Sequence, residues 1–239
     1  VCSSDLSGIG FVGMGGGSGA SARPGAIIEN VRSDKWYYNS AGSSCYVGAG
    51  ICLESSSNST ITGTVTEANG QAGISLTSSN YLTVTGNTSQ GSGLYGISLS
   101  SVNYSTFTGN ITQGTSSGIS LGSSSDNSFS GNTTQGNTYG IQAGGFRNTY
   151  TGNTITGNTT YGMRLYPAGS NSNITGNSFY DNGGATSNGA ILLVDSGSNT
   201  VTNNAISDSS ATSTNYAIEI GSGSNSNYLS GNTLSGGSI

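Results

Sequence analysis

The chain has 239 residues, of which 41 are glycine, 32% are hydrophobic and 6% are charged, with a formal net charge of −5 and no histidine. A layered core needs more apolar side chains than this and a disordered chain carries more charge, so the composition points to thin apolar columns stacked in a repeat protein. Five scattered cations, Arg23, Arg32, Lys35, Arg147 and Arg164, are too few to neutralise a run of phosphates, which argues against a nucleic-acid partner. No apolar stretch approaches the roughly 20 residues that a membrane-spanning helix needs.

In chain order, the hexapeptide Val1-Cys2-Ser3-Ser4-Asp5-Leu6 resembles the in-frame translation of a sequencing-adapter end and reads as a scar on a fragment of a longer protein. Residues 7–49 read as one or two irregular N-terminal coils, carrying Gly25-Ala26-Ile27-Ile28 and the aromatic run Trp36-Tyr37-Tyr38. Cys45 and Cys52 follow, seven apart with Gly48 and Gly50 between them. A turn at these glycines brings their α-carbons within disulfide range; an extended run leaves two free thiols. With no histidine and only these two credible thiols, no metal site or cofactor is expected, save a weak oxygen-ligand calcium site.

From Gly50 onward a glycine-led phrase, G-I-x-L, then a polar run, then an apolar residue flanked by hydroxyls, then Gly-Asn, recurs eight times. Its leading residues are Gly50, Gly73, Gly96, Gly118, Gly140, Gly162, Gly189 and Ala217, spaced 23, 23, 22, 22, 22, 27 and 28 apart. Apolar residues two apart, as Ile74 and Leu76 are, give strand alternation, and no window has helical spacing. A turn of about 22 residues accommodates three short strands and three corners, with coils about 4.8 Å apart pairing in parallel. The expected fold is therefore all-β: a single-stranded parallel β-helix solenoid of about eight regular coils over residues 50–239. Gly-Asn marks one corner, with Asn87, Asn110, Asn132, Asn153, Asn177, Asn204 and Asn232 expected to stack as an amide ladder. Asn87, Asn110 and Asn132 match N-x-S/T, but a residue stacked inside a corner is a poor glycan acceptor.

The pattern G-I-x-L, polar run, I-T-G-N resembles the β-helix repeats of the NosD-like family and of related carbohydrate-binding and sugar-hydrolase repeat domains. The resemblance covers residues 50–239 and implies a right-handed coil; it specifies fold far better than activity. The motifs of the pectin-cleaving β-helix groups, N-T-D, D-D, G-H-G and R-I-K in one, an aspartate cluster with an arginine base in another, do not occur here.

Three sets of residues are candidates for function. Asp181 and Asp208 lie four residues after Asn177 and Asn204 in adjacent coils. Stacked about 5 Å apart, they have the separation of a retaining glycosidase pair, although two solvated loop aspartates are the simpler reading. The x of G-I-x-L forms an outward column, Cys52, Ser75, Ser98, Ser120, Gln142, Arg164, Leu192 and Glu219, in which Gln142, Arg164 and Glu219 suit sugar hydroxyls. Tyr95, Tyr139, Tyr161 and Tyr216 precede the leading small residue; strict alternation puts them on the buried side unless the glycine breaks the strand. Finally, pairs flank the middle-strand apolar residue: Thr60/Thr62, Thr83/Thr85, Thr106/Thr108, Ser128/Ser130, Thr149/Thr151, Asn173/Thr175, Thr200/Thr202 and Tyr228/Ser230. Such a hydroxyl array is similar to the ice-binding faces of antifreeze solenoids, and threonine is also simply a good exposed strand former.

The sequence thus supports a non-enzymatic extracellular or cell-surface module, a rigid scaffold and weak carbohydrate-binding surface, with polysaccharide or surface glycan as partner. Ice binding through the threonine face, and a fragment of a polysaccharide lyase or glycoside hydrolase, are the alternatives. Open strand edges at both ends also predict end-to-end self-association.

Overall fold

The computed structural model describes residues 9–12, 25–34, 48–166, 169–184, 189–209 and 216–236. The hexapeptide 1–6, the Trp36-Tyr37-Tyr38 run and Cys45 lie outside these. Twenty-seven short strands and no helix are present among the described residues. They form three parallel sheets of nine strands each. A representative coil contributes Tyr95–Ser100 to the first sheet, Thr106–Thr108 to the second and Ile111–Gln113 to the third. Each strand pairs with its copies one coil back and one coil on: Ile97 with Ile74 and Ile119, Phe107 with Val84 and Phe129, Thr112 with Ser89 and Thr134. The result is a parallel β-helix of nine coils, an irregular one (Ile9–Val12, Ile27–Glu29, Arg32–Asp34) ahead of the regular eight.

The core is a set of columns running along the axis. Ile51, Ile74, Ile97, Ile119, Ile141, Met163 and Ile191 form one; Leu53, Leu76, Leu99, Leu121, Leu165 and Leu193 lie beside it, all buried. From the second sheet Phe107, Phe129 and Tyr150 stack as parallel rings with centroids 4.7 and 5.0 Å apart. That spacing matches the rise between coils, so the aromatic column adds ring stacking to burial.

The third sheet is different, because its inward residue is a hydroxyl in the first five coils (Ser33, Thr66, Ser89, Thr112, Thr134) and apolar only from Ile155, Phe179 and Ile206 onward. These small side chains face the leading glycines of the first sheet. A Cβ at Gly140 would meet the Gly162 carbonyl oxygen and lie 2.7 Å from Thr134 Oγ1. At Gly118 it would lie 2.6 Å from both Thr112 Oγ1 and the Gly140 carbonyl. The repeat's leading glycine is therefore required by space, not by a left-handed backbone.

Left-handed angles occur instead at the corners. In Gly86-Asn87, Gly109-Asn110 and Gly131-Asn132 only the glycine has positive φ, 62–63°, and the asparagine is left free to stack. Asn132 shows the full pattern. Its Oδ1 accepts from the backbone N and the Nδ2 of Asn110, while its own Nδ2 donates to Asn153 Oδ1 and to the Phe107 carbonyl, all at 2.9–3.0 Å. The same bonds link Asn87 through Asn232, so every polar atom of this buried amide column is satisfied. These asparagines are buried in the corner, as the N-x-S/T matches at Asn87, Asn110 and Asn132 required if they were to be discounted.

Two further ladders occupy the other corners. Asn137, Asn158 and Asn182 run between the third and first sheets, with Thr115 at their start. Asn127 and Asn148, continued by Ser172, Asn199 and Asn227, run between the first and second. The first of these had a legible signal, a second glycine-asparagine pair five residues after the other, as in Gly136-Asn137 and Gly157-Asn158.

Candidate functional site

The outer face of the first sheet brings the second set of candidates together. Gln142, Arg164, Leu192 and Glu219 align in one column across four successive coils. Beside it, Tyr95, Ser117, Tyr139, Tyr161, Gly189 and Tyr216 align in another. The tyrosines face outward, not into the core as alternation predicted. Because the leading glycines Gly73, Gly96, Gly118, Gly140 and Gly162 turn a bare Cα to the interior next to an inward isoleucine or methionine, two consecutive residues point in, and the residue before the glycine is turned out. Gly189, expected as a leading glycine, falls instead in the tyrosine column, with Ala190 in the slot aligned with Gly162.

On this face Tyr139 and Tyr161 stack with centroids 6.5 Å apart and planes at 18°. The Tyr161 hydroxyl donates to Glu219 Oε2 at 3.1 Å, reaching across the coil where Gly189 has no side chain. Partial burial, then the bond to Glu219, push the Tyr161 phenol up to about 12. Tyr216 is 53% exposed at the end of the column. Arg164 is half-buried, and its Nε is fully buried with no hydrogen-bond partner.

The N-terminal part of the same face is closed. Cys52, Ser75 and Ser98, expected as solvated members of the x column, are buried, as is Leu192 further along. Cys52 packs with Ala49 and Ala72 in a small apolar cluster under Tyr95. Small side chains on a flat sheet are easily covered, which alternation alone does not reveal. Cys52 is disulfide-bonded.

The threonine pairs of the second sheet are in register from coil to coil: Thr60, Thr83, Thr106, Ser128, Thr149, Asn173, Thr200 and Tyr228 in one line, Thr62, Thr85, Thr108, Ser130, Thr151, Thr175, Thr202 and Ser230 in the other. Their side chains are half-buried to exposed, and hydroxyls bridge coils at Thr108–Ser130 and Thr175–Thr202, both 3.2 Å.

Asp181 and Asp208 do sit in adjacent coils, beyond the aligned pair Tyr180–Ser207. The Asp181 carboxylate, however, accepts from Ser209 backbone N at 2.6 Å and Ser209 Oγ at 2.9 Å. Both of its oxygens are taken up in bonds to the next coil.

One exposed feature had been missed. At the corner between the first and second sheets, Tyr81, Tyr104, Asp126 and Arg147 occupy the left-handed position in four successive coils, φ 53–59°. Tyr81 and Tyr104 stack at 5.4 Å, and Arg147 forks onto Asp126 with bonds of 2.7 and 2.8 Å. Their spacing of 23, 22 and 21 residues is readable, but no apolar or glycine marker draws attention to it.

Geometry and register define the class, a parallel β-helix with polar amide-laddered corners. Residues 19–146, more than half of the chain, match the family described as periplasmic copper-binding protein (NosD), and the chain belongs to that family. Residues 144–234 match the right handed beta helix region, which fixes the hand of the coil. No curated protein is significantly similar in sequence.

Among solved structures, the chain is similar to the periplasmic alginate epimerase AlgG, with 18% identity and TM-score 0.68 over 89% of this chain and 51% of that one. It is similar to the Azotobacter vinelandii mannuronan C-5 epimerase AlgE6 A-module, with 17% identity and TM-score 0.65 over 97% and 74%. It is similar too to the Pseudomonas phage phi297 tailspike gp61, with 16% identity and TM-score 0.61 over 80% and 41%. At these identities the likeness is one of fold, and the chain spans about half the length of AlgG.

The family's description names copper, and the described residues of this chain do not fit it. There is no histidine, Cys52 is in a disulfide, and Met163 is buried in the core. Among the described residues no group of three or more acidic or thiol side chains converges. Nor is any helix among them long and apolar enough to cross a membrane.

Proposed function

We propose that this chain is a β-helix module acting outside the cytoplasm, which holds polysaccharide along the outer face of its first sheet. The observation that carries this reading is the outward aromatic column: Tyr139 and Tyr161 stacked beside Gln142, Arg164 and Glu219 in successive coils. Aromatic faces pack on the apolar faces of sugar rings, and amide, guanidinium and carboxylate groups bond ring hydroxyls. Coil repetition gives a long glycan several weak contacts in line, and their linkage supplies avidity.

Binding without turnover is favoured by the engagement of the acidic groups. Glu219 accepts the Tyr161 hydroxyl, and Asp181 of the Asp181/Asp208 pair has both carboxylate oxygens bonded to Ser209. The periplasmic description of the family and the Cys52 disulfide support an oxidising compartment, periplasm or cell surface. The polysaccharide-epimerase titles among the fold's neighbours support the ligand class.

The test is binding to a panel of soluble polysaccharides, with product analysis of each mixture by NMR. The double variant Tyr139→Ala, Tyr161→Ala is expected to weaken the bound polymer by about tenfold while remaining folded. Chain cleavage or epimerised product would overturn the non-catalytic part; unchanged affinity in the variant would overturn the site.

A second reading rests on the coil-to-coil register of the threonine lines, which gives the second sheet a regular hydroxyl array broken only at Asn173 and Tyr228 among the regular coils. Thermal hysteresis measured on the chain and on Thr85→Lys, Thr108→Lys decides it; no activity in the folded chain retires ice as a partner.

A further inference from the structure

The three arginines among the described residues are not treated alike. Arg32 pairs with Asp34 and Glu67, and Arg147 forks onto Asp126. Both lie on the surface, where such pairs are cheap to form. Arg164 is more buried than either and pairs with nothing: its Nε has neither carboxylate, carbonyl nor hydroxyl within reach. An orphaned guanidinium N–H out of water costs free energy, and the same guanidinium cannot escape by losing its proton.

The nearest acidic candidate in its own column does not relieve it. Glu219 stands two coils on, roughly 10 Å along the axis at the usual coil rise, and its carboxylate takes the Tyr161 hydroxyl. Leu192, between them, is apolar and buried. On the other side Gln142, one coil back, offers an amide. Tyr139 and Tyr161 flank these two coils in the neighbouring column.

We infer that Arg164 is the recognition point for an oxyanion carried on the polysaccharide, so that the face selects an acidic polymer. This rests on the polysaccharide reading above and names its ligand class. The two Nη groups donate to two oxygens of a single carboxylate or sulfate, a pairing stronger than a neutral hydrogen bond, while the buried Nε stays out of the ligand's reach. The oxyanion lies over Arg164 and the Gln142 amide, on the side away from Glu219. A sugar ring linked to it then rests against Tyr139 or Tyr161. A uronate carboxylate and a sulfate ester present the same chemistry, and the test separates them.

Binding is measured by calorimetry on the full chain with three polymers of matched length: a polyuronate, a sulfated neutral polysaccharide and an uncharged glucan. The proteins are wild type, Arg164→Gln, Arg164→Lys and Tyr139→Ala, with circular dichroism and urea midpoints confirming the fold. The expected result is preference for one of the two acidic polymers, which identifies the oxyanion. Arg164→Gln then loses about tenfold in affinity for it, Arg164→Lys recovers part, and the uncharged glucan is unaffected by either. Wild-type affinity falls as salt rises, and that of Arg164→Gln falls less. If the uncharged glucan binds as well as the acidic polymers and Arg164→Gln changes nothing while Tyr139→Ala weakens binding, the oxyanion inference is overturned and the polysaccharide reading stands. Binding of none of the three overturns both.

Discussion

Two outer faces of one solenoid, built from the same repeat, have different chemistry. The second sheet has three-residue strands in which one apolar residue points in and two hydroxyls point out, as in Thr83-Val84-Thr85. Strict alternation makes this face regular, polar and almost free of large side chains. The first sheet has longer strands, in most of which the second residue is a glycine whose Cα is pressed against the next coil. That glycine spoils the alternation and turns the preceding residue outward, so the first face acquires tyrosines beside Gln142, Arg164 and Glu219. Side-chain period alone gives a hydroxyl array; a single break in the period gives a surface of mixed aromatic, amide and charged groups.

The strongest way to break this contrast is to put a side chain where the break occurs. Gly140→Val drives its Cβ into the Gly162 carbonyl and Thr134 and is expected to cost about 3 kcal/mol, read from urea unfolding. Gly109→Ala, at a corner where a Cβ meets nothing but φ is +62°, costs about 1 kcal/mol. Equal costs at the two sites would mean that space at the leading glycine is not what shapes the first face.

Removing Asn132 tests the corner both faces share. Asn132→Ala takes the acceptor from the buried Asn110 backbone N–H and one partner each from Asn110 Nδ2, Asn153 Oδ1 and the Phe107 carbonyl, although Asn153 Oδ1 keeps the backbone N–H of residue 132, for an expected loss of about 2–3 kcal/mol by the same measurement. A neutral result would show that the ladders follow register and do not hold it.

A smaller effect is specific to the first face. Burial and the Glu219 bond hold the Tyr161 proton to about pH 12 in the folded chain, above the ordinary phenol value near 10. The folded state then binds more protons than the unfolded one between these values, so this contribution is intact below about pH 10 and is lost as pH rises toward 12. Tyr161→Phe should flatten the decline of stability over that window relative to wild type; an identical decline would mean that the hydroxyl is not held. Smallest of all, Thr85→Lys with Thr108→Lys should move stability by no more than about 0.5 kcal/mol and leave polysaccharide affinity unchanged.

Much of this was legible in the sequence. The Gly-Asn corners, the Ile and Leu columns and the threonine lines follow from fixed spacing, because every coil repeats one set of steric demands. A third strand was expected from the length of the repeat, but its position was not marked, since its inward residue is Ser89, Thr112 or Thr134 in the early coils and no apolar alternation picks it out. For the candidate site, the repeat register made legible that Gln142, Arg164 and Glu219 align in one column and Tyr95, Tyr139, Tyr161 and Tyr216 in the next, but the side on which the tyrosines lie depends on a glycine whose effect is visible only against the neighbouring coil. Burial of Ser75 and Ser98 was equally hidden, for a small polar side chain looks the same in sequence whether covered or wet.

The most direct measurement is backbone amide chemical-shift mapping on the isotopically labelled chain during titration with an oligosaccharide of the best-binding polymer. The account predicts perturbations clustered at Tyr139, Gln142, Tyr161 and Arg164, with Thr83, Thr85, Thr106 and Thr108 unmoved. Shifts confined to the threonine lines, or spread evenly over both faces, would contradict it.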